Sequence, residues 1–192
     1  MPASLHRANQ DLKPETGLSS ALSLEYNEGV WEGGLKLFSS WVDNMIEWEM
    51  KPGENTWTSV NLRNGSYNGV DVKFGYGEKP ALLRVLYTFQ KTKFEDHPFS
   101  KLLKYHYYFP EHILSLLAAG QLGGLSLSGS LKAEIESLSV KTRLYLSLKA
   151  GQKLGKALLT FEALNLFDTR VEKIPHLLEP PRSFSLGLAY GF

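Results

Sequence analysis

The chain of 192 residues contains no cysteine, which removes disulfides, thiolate metal sites and a cysteine nucleophile together. It has no apolar run of roughly 18 residues, so no helix of its own is expected to cross a membrane. Charge of one sign is not in excess, with 21 Lys and Arg against 20 Asp and Glu. A nucleic-acid partner is therefore not expected, because phosphate binding needs a basic surplus gathered on one face. Residues 1–10 lack the charged start and apolar stretch of a secretory leader. The expectation is either a cytoplasmic protein or a sequence that begins partway into a longer gene. Catalytic signatures are missing too: there is no Gly-rich phosphate loop, no His-Glu-x-x-His and no Gly-x-Ser-x-Gly elbow. No enzyme activity, resident metal or cofactor is expected.

What is present is a hydrophobic fraction of 43% with 12% aromatics, too much for a disordered chain. That leaves a soluble globular domain or a membrane β-barrel. Helical periodicity is scarce, while alternation with period two runs through most of the chain. In the stretch 125–136, Leu125, Leu127, Leu131, Ala133 and Ile135 share one face, and Ser126, Ser128, Ser130, Lys132, Glu134 and Glu136 the other. The same pattern sets Val70, Val72, Phe74 and Tyr76 against Asp71 and Lys73, and Leu144, Leu146 and Leu148 against Arg143 and Lys149. It is cleanest at the end, where Phe184, Leu186, Leu188, Tyr190 and Phe192 alternate with small residues.

Nine strands are expected, near 17–26, 34–49, 57–76, 81–93, 112–120, 124–136, 141–150, 156–167 and 182–192. The nine prolines fall outside them or at their edges, as a hydrogen-bonded ladder requires. Several of these strands are longer than the mode of about five or six residues in soluble proteins, and match the roughly 9–11 that a tilted strand needs to cross a bilayer. Connections alternate in length. They are short at 27–33, 77–80, 120–124 and 151–155, and longer at 50–56, 94–111 and 168–181; 137–140 is short out of turn. Brief turns on one rim and long loops on the other describe an all-β, antiparallel, up-and-down transmembrane β-barrel. Trp48, Trp57, Tyr105, Tyr107, Tyr108 and Phe109 lie at the edges of long connections, where an interfacial aromatic girdle would put them; aromatics are also simply common in strands. Alternation does not say whether the apolar face meets lipid or a soluble core.

Two segments carry a family resemblance. The last strand, with apolar residues at every second position up to the terminal Phe192, resembles the closing strand of outer-membrane barrels. Upstream, Asn165-Leu166-Phe167-Asp168 resembles the Asn-Leu-Phe-Asp element in the penultimate strand of TonB-dependent outer-membrane receptors. Three further segments are similar to that family in its order: Asn9 to Glu15 (Asn-x-x-Leu-x-Pro-Glu), the stretch 38–48 with Asn44-Met45-Ile46, and Val60-Asn61 followed by Gly69-Val70-Asp71.

The resemblance covers essentially the whole chain and implies a C-terminal barrel portion, about nine strands of a larger barrel. The family's plug and earlier strands have no counterpart here. By resemblance, the parent is an outer-membrane transporter for a large scarce ligand (iron-siderophore, haem or cobalamin), energised through the TonB complex by way of the missing plug. Outer-membrane lipid and the barrel assembly machinery are the other implied partners. Phe184, Leu186, Leu188, Tyr190 and Phe192 are the residues that machinery would read. Nine strands counted back from a periplasmic C-terminus put the chain before the first strand outside the cell, where a free-standing barrel of even strand number would not start.

The long 94–111 connection is the candidate ligand loop. Its Lys104, Tyr105, His106, Tyr107 and Tyr108 offer cationic and aromatic groups to an anionic chelate, or alternatively an anchor in the headgroup region. His97, His106 and His112 share that loop, either as metal or haem ligands or as solvated side chains. Lys36, Asp71, Lys73, Arg84, Lys132, Glu134, Arg143, Lys149 and Glu162 are expected on the lumenal face as a structural charge ladder. The alternatives are a complete small porin-like or adhesin-like outer-membrane barrel and a soluble calycin-like barrel with a hydrophobic ligand inside.

Overall fold

The computed structural model describes residues 5–7, 9–50, 54, 56–61, 64–78, 81–94, 110–136, 141–174 and 177–191. Their strands are β1 (Leu5–Arg7), β2 (Thr16–Glu28), β3 (Trp31–Asp43), β4 (Ile46–Glu49), β5 (Thr56–Asn61), β6 (Asn64–Tyr76) and β7 (Leu82–Phe94). They continue with β8 (His112–Leu122), β9 (Leu125–Glu136), β10 (Lys141–Leu154), β11 (Ala157–Leu164), β12 (Glu172–Ile174), β13 (Leu177–Leu178) and β14 (Ser183–Tyr190). Among the described residues there is no helix.

Nine strands form one antiparallel sheet in the order β14-β11-β10-β9-β8-β7-β6-β3-β2, so chain neighbours are sheet neighbours except where β4–β5 and β12–β13 intervene. A partial, all-β, up-and-down barrel wall is therefore what the chain builds. The turns explain the meander. Gly29-Val30, Gly123-Gly124 and Gly155-Lys156 are two-residue loops between directly paired strand ends. The first loop residue has φ of 57°, 59° and 61° respectively. A left-handed first residue matches the twist of the flanking strands and favours glycine. All three turns, and the end of β14, lie on one rim. The strand ends Asp43, Asn64, Phe94, His112, Glu136, Lys141, Leu164 and Ser183 lie on the other.

The register fixes the tilt. Trp31, Tyr76, Leu83, Ala118, Gly129, Leu148, Ala163 and Phe184 are successive partners across the sheet from β3 to β14. Trp31 begins β3 directly after its turn, but Ala163 stands six residues beyond Ala157, which begins β11 after its own turn. Six residues at about 3.4 Å over six inter-strand steps of about 4.8 Å incline the strands by roughly 35° from the barrel axis. Closed membrane barrels tilt by about 35–45°.

Every apolar residue of that row shares one face, which continues through Leu22, Leu37 and Val70 and through Leu116, Leu131 and Leu146. This face is open. Leu22, Leu24, Leu186 and Leu188 are each more than 70% exposed, and only Trp57, Ala163 and Val171 are buried apolar residues among those described. From Trp31 to Trp41 the apolar face of β3 rises ten residues, about 28 Å at that tilt, close to the roughly 25 Å apolar band of outer-membrane barrels. At its short-turn edge Trp31 packs on Tyr76 and Phe74, with ring centroids 4.4 and 5.5 Å apart. Tyr26 and Tyr190 are exposed on the same face near that rim.

Three boundaries differ from the sequence reading. The expected strand 34–49 is two, because Asn44 adopts φ 54° and turns the chain away after Asp43. The expected 57–76 likewise divides into β5 and β6. β11 stops at Leu164 because Asn165 takes φ 50°, so the Asn-Leu-Phe-Asp element follows the penultimate strand instead of lying in it. The aromatic girdle differs as well. Trp57 is buried and Trp48 is half-buried in a small sheet of order β1-β5-β4 above the long-connection rim, and Tyr105, Tyr107, Tyr108 and Phe109 lie outside the described residues.

Candidate functional site

Strand alternation delivers all nine expected lumenal charges to the face opposite the apolar rows, where they pair mostly across strands. Glu32 of β3 receives Arg84 of β7 and lies 3.7 Å from Lys73 of β6. Arg143 meets Glu136 at 3.3 Å, Lys149 meets Glu162 at 4.0 Å, and Lys132 pairs with the buried Glu134. Thr88 donates to Asp71 at 2.7 Å. The wall is thus charged but locally neutralised.

Towards the long-connection rim this face holds a half-open cavity of about 650 Å³. Phe38 and Tyr67 stack there at 5.3 Å, and Lys36 stands 5.9 Å above the Phe38 ring. Buried Gln90 accepts from the Tyr67 hydroxyl and donates to the Pro110 carbonyl at 2.9 Å, while its own amide donates to the Glu111 carbonyl at 2.8 Å. Gln90 therefore fastens Pro110 and Glu111, where the chain enters β8, to the lumenal wall. Sequence reasoning missed it, since a lone polar residue on an alternating polar face carries no special signal.

The candidate ligand contacts Lys104, Tyr105, His106, Tyr107 and Tyr108 lie outside the described residues, as do His97 and Phe192. His112 is on the apolar face, its Nδ1 2.8 Å from the Tyr87 hydroxyl and its ring 5.1 Å from that of Phe89. Among the described residues no group of three or more His, Asp or Glu is arranged to hold a metal.

The Asn165–Asp168 element is a corner. The Asn165 side chain donates to the carbonyls of Thr169 (2.9 Å) and Pro180 (3.1 Å) and accepts from the Thr169 amide at 3.1 Å. The Leu166 amide donates to the Leu146 carbonyl of β10 at 2.8 Å. Asp168, itself at φ 52°, accepts from the Arg182 amide at 2.9 Å and from the Arg170 guanidinium at 3.1 Å. Those two donors hold its carboxyl below the usual carboxylate range, the Arg182 amide first. The element thus fixes where the 165–182 connection leaves β11 and re-enters β14. Phe184, Leu186, Leu188 and Tyr190 then line the apolar face of that edge strand, each at least 59% exposed.

A family model described as the TonB-dependent receptor-like β-barrel matches residues 2–166. The chain belongs to the TonB-dependent receptor β-barrel family. Solved structures of TonB-dependent receptors have the same fold. The copper transporter OprC superposes with a TM-score of 0.73 at 13% identity, over 95% of this chain and 33% of that one. The siderophore receptor PirA from Acinetobacter baumannii gives 0.72 at 15% identity, over 97% and 33%. The FrpB iron transporter from Neisseria meningitidis (F3-3 variant) gives 0.68 at 14%, over 97% and 32%. This receptor-barrel chain therefore spans about a third of the length of the structures it matches. No curated protein matches it in sequence. The family and these neighbours are receptors and transporters.

Proposed function

We propose that the chain is a C-terminal part of the barrel wall of an outer-membrane receptor that imports a scarce, large ligand with energy supplied through TonB. The observation that carries this reading is the two-faced nine-stranded sheet. One face is a continuous apolar band of bilayer height, and the other is a neutralised, charged wall suited to water and a plug. Siderophore, iron and copper transporters among the structural neighbours favour a metal chelate as cargo, with haem and cobalamin as further members of the same ligand class.

The soluble calycin-like reading is disfavoured by the open apolar face, because a soluble barrel would turn those rows inward and bury them. Topology supports a larger barrel over a small complete one. The edge strands β2 and β14 both run from the long-connection rim towards the short-turn rim, so antiparallel closure needs an odd number of further strands between them. In this reading TonB acts through a plug outside these residues, which supply wall. The exposed strand Phe184–Tyr190, with Phe192, is the segment offered to the barrel assembly machinery.

Growth of a receptor-deleted strain on defined iron chelates, haem and cobalamin tests the proposal. The complete gene should restore growth on one of them, and this chain alone on none. Uptake by cells expressing only this chain would overturn the reading, as would recovery of the chain as a soluble, detergent-independent monomer.

A further inference from the structure

The long-connection rim carries an arrangement that the barrel itself does not require. β1 pairs in parallel with β5 (Leu5 with Thr56, Arg7 with Thr58), and β5 pairs antiparallel with β4 (Ile46 with Asn61, Glu49 with Thr58). One small sheet thus combines the segment that precedes β2 with the connection between β3 and β6, its centre closed by buried Trp57, Ser59 and Glu47.

Beside the β1–β5 ladder, one carboxamide bonds both segments. Asn61 Oδ1 accepts from the Lys13 amide at 2.8 Å, while its Nδ2 donates to the carbonyls of Lys13 at 3.0 Å and Asn44 at 2.7 Å. Both N–H groups and the oxygen are therefore spent on backbone, on two segments about 48 and 17 positions away. Two further bonds flank it: Asn9 Nδ2 donates to the Ser59 carbonyl at 3.0 Å, and the Ile46 amide donates to Glu15 at 3.0 Å. Aspartate at position 61 would keep the acceptor and lose both donors, and a longer side chain would overshoot two backbone groups fixed by neighbouring strands.

We infer that Asn61 is a positioning residue that locks the segment before β2 and the β3–β6 connection into a single rigid body. The two connections then shift together or not at all. Resting on the proposed function, this makes them one unit of the receptor's outer mouth, so that a ligand touching either one acts on both.

Hydrogen exchange on the complete receptor in detergent micelles tests this without knowing the ligand. In the wild type, peptides covering 9–15 and 44–49 should exchange at a common rate. Asn61→Ala should accelerate both by about tenfold or more, as expected when several hydrogen bonds are lost together, and leave β8–β11 unchanged. Asn61→Asp should split the response, freeing 44–46 while the Lys13 amide stays protected. A disulfide between Asn9→Cys and Ser59→Cys, clean in a chain with no other cysteine, should restore protection to both segments in the Asn61→Ala background on oxidation and release it on reduction.

Acceleration of only one segment by Asn61→Ala would overturn the inference, as would a disulfide that protects 9–15 and leaves 44–49 unchanged. The oxidised and reduced forms of one protein sample share one folded barrel, so the comparison holds even if Asn61→Ala assembles poorly. Failure of uptake by the wild-type receptor would count against the transport reading alone, since the exchange result does not depend on it.

Discussion

A charge walked up the apolar face of β9 separates a lipid-facing wall from any other use of that face. Leu125 begins β9 directly after the Gly123-Gly124 turn, and Leu131 is six residues further on the same face, flanked by Leu116 and Leu146. At a tilt of about 35° each residue climbs about 2.8 Å, so Leu131 stands about 17 Å above Leu125 and within a few ångströms of the middle of a 28 Å band. Arginine at the midplane of a membrane barrel costs about 2–4 kcal/mol and near an interface about 0–1. Leu131→Arg should therefore destabilise by about 2–4 kcal/mol and Leu125→Arg by less than about 1. Ser130→Arg, one residue away on the polar face, should change stability by no more than about 0.5 kcal/mol.

The assay is reversible folding of the complete receptor into phospholipid vesicles, read as a urea midpoint with the heat-dependent gel shift as a check on barrel formation. Equal losses at Leu125 and Leu131 would refute the depth argument. A loss at Ser130 as large as that at Leu131 would refute the assignment of faces.

Three other outcomes follow from the rims. Asp168 has a lowered carboxyl pKa in the fold, so its contribution is present above the ordinary carboxylate pKa and is lost as pH falls through the depressed folded value. Exchange of the Arg182 amide should accelerate below the usual carboxylate range, and Asp168→Asn should show the acid behaviour at neutral pH. Asn165→Ala removes three side-chain bonds at a left-handed position and should cost roughly 1–3 kcal/mol in a urea midpoint, with Asn165→Gly recovering only the backbone share. Gly123 has open space around it but a φ of 59°, so Gly123→Ala should cost about 1 kcal/mol by backbone strain alone, and Gly120→Ala on the neighbouring strand far less.

Much of the wall was legible because alternation is a long-range repetition. Leu125 to Glu136 and Phe184 to Tyr190 announce both faces without any knowledge of their partners, and every charge assigned to the lumen from parity is on the polar face. The breaks were not legible, because they occur where single residues leave the strand region. Asn44 at φ 54° interrupts a pattern whose residues on either side still alternate, so 34–49 reads as one strand. Asn165 at φ 50° does the same to 156–167. The small sheet at the long-connection rim was hidden for another reason. Asn9 to Glu15 and Val60-Asn61 stand out as separate motifs, yet a side chain bonding backbone 48 positions away leaves no periodic trace. Trp57 read as an interfacial aromatic for the same reason, since nothing in its own segment shows that β5 will be the central strand between β1 and β4.

The direction of the faces follows from energetics, not from pattern. An exposed lumenal pair such as Lys149–Glu162 is worth about 0–1 kcal/mol. Such pairs can hold the wall neutral, but they cannot by themselves hold nine strands in one sheet. The backbone ladder satisfies its own donors and acceptors on either face and so has no preference between them. What remains is the apolar face, with Leu22, Leu24, Leu186 and Leu188 on the edge strands each more than 70% exposed. In water each would forgo about 1.5–3 kcal/mol of burial. In a bilayer the same side chains meet hydrocarbon, and a closed ladder is one of only two backbone arrangements that leave no unsatisfied groups there. The wall is stable in the setting that covers this face, and a band of about 28 Å between its rims has the thickness of that setting.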